Sequence, residues 1–546
     1  MAKSSKDTQL IELKDTITEL NKLIKTLQET LASTQKLLED TARDRDNYKE
    51  QAEYLKKKLF GASSEKRDHS VDGQLSLFNE FELEADSNAA AEEAAAIAEE
   101  LEATPKSKKK RSTNQERFKG IPVKKVELEP DSKICPDCGT ELVRIGTELV
   151  RRELEYTPAK FNVVEYYSVN YKCPSCESEK ETPVIIKGKD GKAHMLHGLA
   201  SASTIAWVIY QKYVNSIPLY RQEKDWQQYG VTYTRATFSS WVIKNTDEFL
   251  KPFYEYLHDR LLERETLMAD ETPTQVLKEP ERRAETKSYM WLFRTGEDGG
   301  NPIVLYKYSQ TRAGETAENF LRSFDGYLMC DGYSGYNKVP NATRLSCWAH
   351  IRRYLVDSIP NGKQYDYQLP AVQGVLYIDK LFNLDKKIKA RCKTYEEIRK
   401  ARLEEETPIL TGFWSWFDKL KPQKNSKLDR AVTYIRNRRP YLEVYLEDGR
   451  LSLSNNLSEN SIRPFTVGRK NWLFSDTPAG ADASSVIYSI VETAKANEVN
   501  VYHYIAFLLE KLSSTELKEF DFESVCPWNQ DVKDEVQQRI NKANET

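Results

Sequence analysis

The chain has no apolar run approaching the ~20 residues that a membrane-crossing helix requires. Its first residues, MAKSSKDTQL, hold no apolar segment of the secretory kind. These two absences argue against an integral or exported protein, and a cytoplasmic location is expected. Cysteine is scarce, eight in 546 residues, and four of the eight fall in two CPxC units. In a reducing compartment that arrangement points to metal binding rather than to a disulfide framework. Net charge is almost absent as well, at −3. It does not exclude a polyanionic partner, because the charge is segregated. Asn79 to Ala103 carries nine acidic and no basic residues, whereas Lys106 to Lys125 carries nine basic and one acidic. Blocks of this kind mark flexible segments, and basic blocks often hold nucleic acid. A chain of this length is expected to form several domains with at least one large core.

Leu10, Leu13, Ile17, Leu20, Ile24, Leu27, Leu31, Leu38, Ala52, Leu55 and Leu59 occupy the a and d positions of one heptad frame. Residues 8–60 are therefore expected to form a coiled coil that joins copies of the chain, weakened mid-way by Thr34, Thr41, Arg45 and Tyr48. A flexible linker is expected over 61–118; its KSKKKR run, with Lys108, Lys109, Lys110 and Arg111, is a candidate DNA-backbone contact. Cys135, Cys138, Cys173 and Cys176 form two knuckles with 34 residues between the pairs. Four thiolates so placed can close a tetrahedral structural Zn²⁺ site within a module at 119–198. The strand-like VRRELEYTP and FNVVEYYSVNYKC between the pairs suggest a hairpin that holds the knuckles together. Residues 199–262 read as helical and as a DNA-binding region, with Gly230 a helix stop and Thr234 a cap.

Three acids stand out beyond that point: Asp270 in LMADETP, Asp331 in LMCDGYSGY and Glu459 in SNNLSENSIRP. Singly, each is more often structural than functional. The element order around them changes the odds. A strand ending at Asp270, a hairpin around EDGGN, a helix from Gly314 to Phe324, a strand ending at Asp331 and a fifth strand leading to a helix near Trp348 give the order of a ribonuclease-H-like fold. In that fold the ends of the first and fourth strands are neighbours, which would bring Asp270 and Asp331 together. Glu459 lies 128 residues further on, and the interval is predominantly helical, so a helical insertion at about 351–450 is expected. Three carboxylates on one pair of divalent cations is an arrangement for phosphodiester displacement. Glu459 and Arg463 share a helix face, so the guanidinium could hold a phosphate beside the metal-binding acid. Arg469, Lys470, Arg352 and Arg353 extend the candidate DNA-binding surface. Glu492 is a second candidate for the third acid. Cys347 and His350 in CWAH are read as packing or DNA positioning, and Trp348 and Trp472 as core, with base stacking the alternative. The catalytic domain is expected over 263–510, followed by a tail at 511–546.

The chain resembles insertion-sequence transposases of the sixty-six class, whose large protein is a DDE transposase. The likeness runs through LFGASSEKR, GQLSLFNE, CPDCG with CPSC, KYVNSIPLYRQE, ADETP, CDGYSGYN, CWAHIRRY, SNNLSENSIRPFTVGRKNWLF and VETAKANEVNVYHY. It implies DNA transposition on double-stranded element ends and target DNA, with Asp270, Asp331 and Glu459 binding Mg²⁺ or Mn²⁺. It also implies small accessory proteins from the same element. A catalytically inactive, transposase-derived regulator is the alternative reading, and a structure-selective nuclease a third. The basic segment departs from the pattern: KSKKKRSTNQERFKG stands where relatives tend to carry a short Pro- and Gly-containing stretch.

Overall fold

The computed structural model describes residues 200–545 apart from Asn361, together with much of 161–172, residues 185–187 and a few isolated positions. The chain divides into two compact units, Met1–Gln51 with Thr157–Ile540 and Ala52–Tyr156 with Asn541–Thr546. The first unit contains the central sheet and all three candidate acids. The expected linker, the four candidate zinc cysteines and Lys108 to Arg111 lie outside the described residues. So does the coiled coil, except for Lys22, Leu31 and Thr34, which are helical and exposed.

Strands β1 (Asn170–Lys172) and β2 (Ile185–Lys187) pair antiparallel. Thus the strand leading into Cys173 pairs with a segment beyond the second knuckle; the expected partner, VRRELEYTP, lies outside the described residues. Four helices follow: α1 (Ala202–Tyr213), α2 (Leu219–Gln228), α3 (Arg235–Asn245) and α4 (Lys251–Leu262). Gly230 takes φ +80° just after α2, and the Thr234 hydroxyl accepts the Thr237 N–H at 3.3 Å to cap α3. Residues 229–234 separate α2 from α3, a longer connection than the 3–4-residue turn of a compact helix-turn-helix. Phe238, Trp241 and Val242 of α3 are buried.

The central sheet has the order β5-β4-β3-β6-β7. Its strands are β3 (Thr266–Gln275), β4 (Lys287–Thr295), β5 (Val304–Ser309), β6 (Gly326–Cys330) and β7 (Ala342–Ser346). The first three form an antiparallel meander, while β6 and β7 add in parallel on the other side of β3. The crossover helix α5 (Glu315–Phe320) is shorter than the expected Gly314–Phe324. Between β6 and β7 the chain makes only a 3₁₀ turn, Ser334–Lys338, where the expected ribonuclease-H-like order, strand–strand–strand–helix–strand–helix–strand, has its second helix. β3 does not stop at Asp270 but runs on to Gln275, paired with β4 throughout. Pro273 survives inside it because the N–H and C=O of one strand residue point the same way. Its carbonyl accepts from Arg469, so the missing N–H faces the side that β6 has vacated.

Helices α6 (Trp348–Asp357), α7 (Pro370–Arg391), α8 (Tyr395–Glu405), α9 (Thr407–Phe417) and α10 (Lys427–Leu442) fill the interval before α11 (Asn456–Trp472). They share a core with one sheet face, in which Met268, Met329 and Leu345 meet Trp348, Phe413 and Ile435. Trp348 is fully interior and donates its indole N–H to the Leu442 carbonyl at 2.8 Å, which excludes it as a base-stacking residue. On the other side, Leu267, Leu328 and Cys330 join a larger core with α1, α3, α4, α12 (Pro478–Ala496) and α13 (Val501–Ser513). Val525, Cys526, Val532 and Val536 also enter that core, so the segment expected to be a tail is packed. Among the described residues no helix is long and apolar enough to cross a membrane.

The helical segment encloses a buried ionic cluster. Arg402 donates to Asp385 at 2.9 Å and to the carbonyls of Tyr445 and Asp448, each at 3.3 Å. Beside it, Glu406 accepts the Tyr445 hydroxyl at 2.7 Å. Burial, reinforced by Asp385, pushes the Glu406 carboxyl up to about 7. Between its unfolded value near 4.5 and about 7, the folded chain holds a proton that the unfolded chain releases. Its stabilising effect is therefore complete at low pH and is lost as pH rises through that window. The contribution is on the order of 3 kcal/mol. Glu406→Gln keeps an acceptor for Tyr445 and removes the titration. Urea midpoints of the variant should fall less than those of the wild type between pH 5 and pH 8; parallel curves would refute the assignment.

Candidate active site

The strand register determines where the acids point. β3 and β6 pair through Met268↔Met329, so two further residues along, Asp270 stands opposite Asp331. Adjacent strands lie about 4.8 Å apart. Side chains alternate along a strand, so Asp270 projects on the same side as Met268, toward the helical segment. Asp331 opens the turn after β6, and its Oδ1 accepts the Tyr333 N–H at 2.8 Å. Arg344 of β7 holds that turn from below, donating to the Asp331 carbonyl at 2.6 Å, to Asn337 and to the Cys330 sulfur. Arg438 of α10 donates to the Gly332 carbonyl.

Asn455 places the third acid. Fully buried ahead of α11, it donates its side-chain amide to the Ala269 carbonyl at 3.2 Å and its backbone N–H to Cys347 Sγ at 3.2 Å. The first turn of α11 is thereby clamped beside Asp270, and Glu459 emerges from it. The Glu459 carboxylate lies 3.6 Å from both His350 Nε2 and Arg353 Nη2 of α6.

Burial pushes the Asp270 carboxyl well above the usual carboxylate range, and the negative charges of Glu271, Glu459 and Asp331 push it further. The Glu271 N–H, donated to Asp270 Oδ1 at 2.8 Å, only partly offsets this. Asp270 Oδ2 and Glu459 Oε1 are buried without a hydrogen-bond partner. Mutually repelling carboxylates with two buried oxygens free of hydrogen bonds suit a hard divalent cation in donor type and in charge. Among the described residues no three metal-ligating side chains are already spaced to hold one ion, so the acids stand wider apart than a closed cage.

A family model described as "Transposase IS66 family" matches residues 197–483, more than half of the chain. The chain belongs to that family. As an IS66 transposase it is a DNA-processing enzyme. The match contains Asp270, Asp331 and Glu459, but not Glu492. A second model, "zinc-finger binding domain of transposase IS66", covers 132–177 and so includes all four knuckle cysteines. A third, "Transposase C of IS166 homeodomain", covers 47–126, from the end of the heptads through the acidic and basic tracts. Among curated proteins, the chain is 27% identical over 457 residues to the uncharacterized protein y4qI of Sinorhizobium fredii (strain NBRC 101917 / NGR234), covering 79% of this chain and 80% of that protein. It is also 27% identical over 427 residues to y4jD of the same strain, covering 75% and 81%.

The other residues singled out from the transposase sequence have various places. Glu492, on α12, pairs with Lys495 at 2.7 Å and is not among the charges acting on Asp270. Arg352 pairs with Asp379 at 2.7 Å, and Arg469 donates to Thr272 and Pro273, bracing β3. Arg463 is part-buried and Lys470 exposed. His350 carries more charge than the CWAH spacing alone implied: burial opposes protonation, yet Cys347 and Glu459 outweigh it and raise the imidazole to about 9. Trp472 packs edge-on to Tyr213 under the Lys212 ammonium.

One buried acid at the site is not evident from sequence. Glu271, next to Asp270, is held by Arg312 at 2.6 Å and by the Tyr336 hydroxyl at 2.5 Å. Burial and the Asp331 charge raise it to about 7 against those two partners. It ties β3 to the DGYSGY turn from the opposite sheet face. The second acid of ADETP is the available signal, but alternation assigns it to the interior.

Proposed function

We propose that this transposase cuts DNA at the ends of its own element and joins the freed ends to target DNA, using Asp270, Asp331 and Glu459 as the catalytic acids. The observation that carries this reading is the convergence of the three from a central strand, a strand end and a clamped helix, with two of their buried oxygens left without a hydrogen-bond partner. The sheet order, with its antiparallel second strand and parallel fourth and fifth, supports a ribonuclease-H-like core interrupted by the helical segment.

Asp270, Asp331 and Glu459 would hold Mg²⁺ or Mn²⁺, which would supply Lewis acidity for phosphodiester displacement. Asp331 and Glu459 both act on the Asp270 charge, and each is held from other elements, the Asp331 turn by Arg344 and Arg438 and Glu459 by His350 and Arg353. Arg353, 3.6 Å from Glu459, and Arg463, one turn beyond it on α11, are assigned to the phosphates on either side of the scissile one. Lys470, exposed at the end of α11, extends that positive edge. Water attack at the element end frees a 3′-hydroxyl, which then attacks a target phosphodiester. The heptad segment joins copies of the chain, and the basic tract around Lys108 to Arg111 adds salt-dependent affinity for the DNA backbone. Accessory proteins of the same element are further expected partners.

The test is a labelled duplex carrying the element's terminal repeat, incubated with the full chain and Mg²⁺ or Mn²⁺. Cleavage at the repeat boundary with joined products is expected. Tight, repeat-specific binding with no cleavage under any metal would replace this reading with that of a DNA-binding regulator.

Cys135, Cys138, Cys173 and Cys176 are assigned to one structural zinc. One equivalent of zinc per chain should be found, and chelation should expose the 119–198 module to protease while the 263–510 region stays resistant. Unchanged protection in strong chelator would sink this assignment.

A further inference from the structure

Residues three and four apart share one side of a helix, so α6 presents His350, Arg353 and Tyr354 together. The first two reach Glu459. Tyr354 continues their face outward and is 37% exposed. Its ring is stacked on that of Tyr434 in α10, with centroids 4.2 Å apart and planes at 21°. Tyr434 in turn lies against the catalytic turn: a Cβ added to Gly332 would come within 2.6 Å of its ring. Arg438, one helical turn on, sits 5.5 Å from the Tyr434 ring centre and bonds the Gly332 carbonyl. Earlier on the same side of α10, Arg430 and Lys427 are exposed. Two stacked rings therefore lead from the backbone beside Asp331 out to solvent, flanked by cations.

Core packing accounts for Tyr434 but not for Tyr354. A tyrosine pair that served only the core would be enclosed by apolar side chains, as Trp348 is, whereas here Tyr434 packs on the helical core with Arg438 at its ring and Tyr354 stands outside it, exposed. Aromatic faces alternating with cations are what a DNA strand requires, since every base has a π-face and every linkage a charge.

We infer that Tyr354, backed by Tyr434, is a stacking platform for one nucleobase beside the scissile phosphate, with Arg430 and Lys427 along the same strand's backbone. This rests on the catalytic reading of Asp331 and Glu459. A base inside a duplex offers no free face, so the nucleotide that binds is unstacked from its helix at or next to the cut. The platform would thereby fix the register of the strand on the acids without reading sequence.

The experiment is binding of the full chain to terminal-repeat duplexes in which single nucleotides around the boundary are made abasic, one per duplex. Wild type, Tyr354→Phe and Tyr354→Ala are compared without divalent metal, and cleavage is followed in parallel with Mg²⁺. On the intact duplex, Tyr354→Ala should bind about tenfold more weakly and Tyr354→Phe like wild type. At one abasic position wild type should lose a similar factor, and there Tyr354→Ala should lose nothing more. Equal affinity of all three proteins overturns the inference. So does a Tyr354→Ala loss that is the same at every abasic position, or one accompanied by a lowered unfolding midpoint. If the single-position signature is present but no protein cleaves, the platform stands and the catalytic reading fails. If wild type does not bind the repeat, both fail.

Discussion

Asp331→Asn should abolish end cleavage and strand joining, by on the order of 10³-fold or more, while leaving affinity for the element ends within about twofold. The substitution removes one negative charge and keeps the shape. Asparagine retains a side-chain oxygen for the Tyr333 N–H, and the turn is held independently by Arg344 and Arg438. A loss in activity therefore reports the missing anionic ligand rather than a collapsed turn. The variant should also relieve repulsion at Asp270, since Asp331 is one of the charges acting there. Its thermal midpoint without metal should equal or exceed that of wild type. Cleavage rates by single-turnover assay and binding by anisotropy separate the two effects. Loss of both binding and cleavage, with a lowered midpoint, would show that Asp331 serves the fold.

The largest effect on stability is expected at Arg402. Its guanidinium has no solvent exposure and its principal partner, Asp385, is buried too. Arg402→Ala leaves that carboxylate with only Lys389, 3.8 Å away, in an interior that also contains Glu406. Breaking a buried pair from one side costs about 3–5 kcal/mol. The loss should appear as a lower urea midpoint, with α7, α8 and α9 opening first by hydrogen exchange. Removing the pair together, as Arg402→Met with Asp385→Leu, should recover most of it, because the penalty arises from the unpaired charge. A double variant as unstable as the single one would contradict this account.

The parts of the fold that the sequence revealed are those with a local signal. Alternation and turn chemistry marked the β4–β5 hairpin, the cap at Thr234 and the strand into Asp331. The pairing of Asp270 with Asp331 followed from strand order, because a parallel neighbour has few other places to go. The strand was expected to end at Asp270, where apolar sequence gives way to polar, but β3 runs on to Gln275, and Pro273 is tolerated there because β6 pairs only as far as Met268. Spacing along α11 put Glu459 and Arg463 on related positions but could not say what faced them. That the answer includes His350 and Arg353, or that Arg352 turns aside to Asp379, depends on how α6 is rotated, which no local pattern encodes. Cationic residues were the least legible: Arg344, Arg438 and Arg469 serve carbonyls of their own chain, and composition cannot distinguish such a brace from a phosphate contact.

The clamp at Asn455 also orders events during synthesis. Asp270 and Asp331 leave the ribosome early, but Glu459 follows 128 residues behind Asp331, just after the asparagine that positions it. At 5–20 residues per second that interval lasts on the order of ten seconds. Throughout it, a nascent chain carries two of the three acids and no means of seating the third. If Glu459 is the third catalytic acid, a chain terminated anywhere in the helical segment would lack it. On the catalytic reading proposed above, the chain would gain its strand-cutting activity only after translation has passed α11.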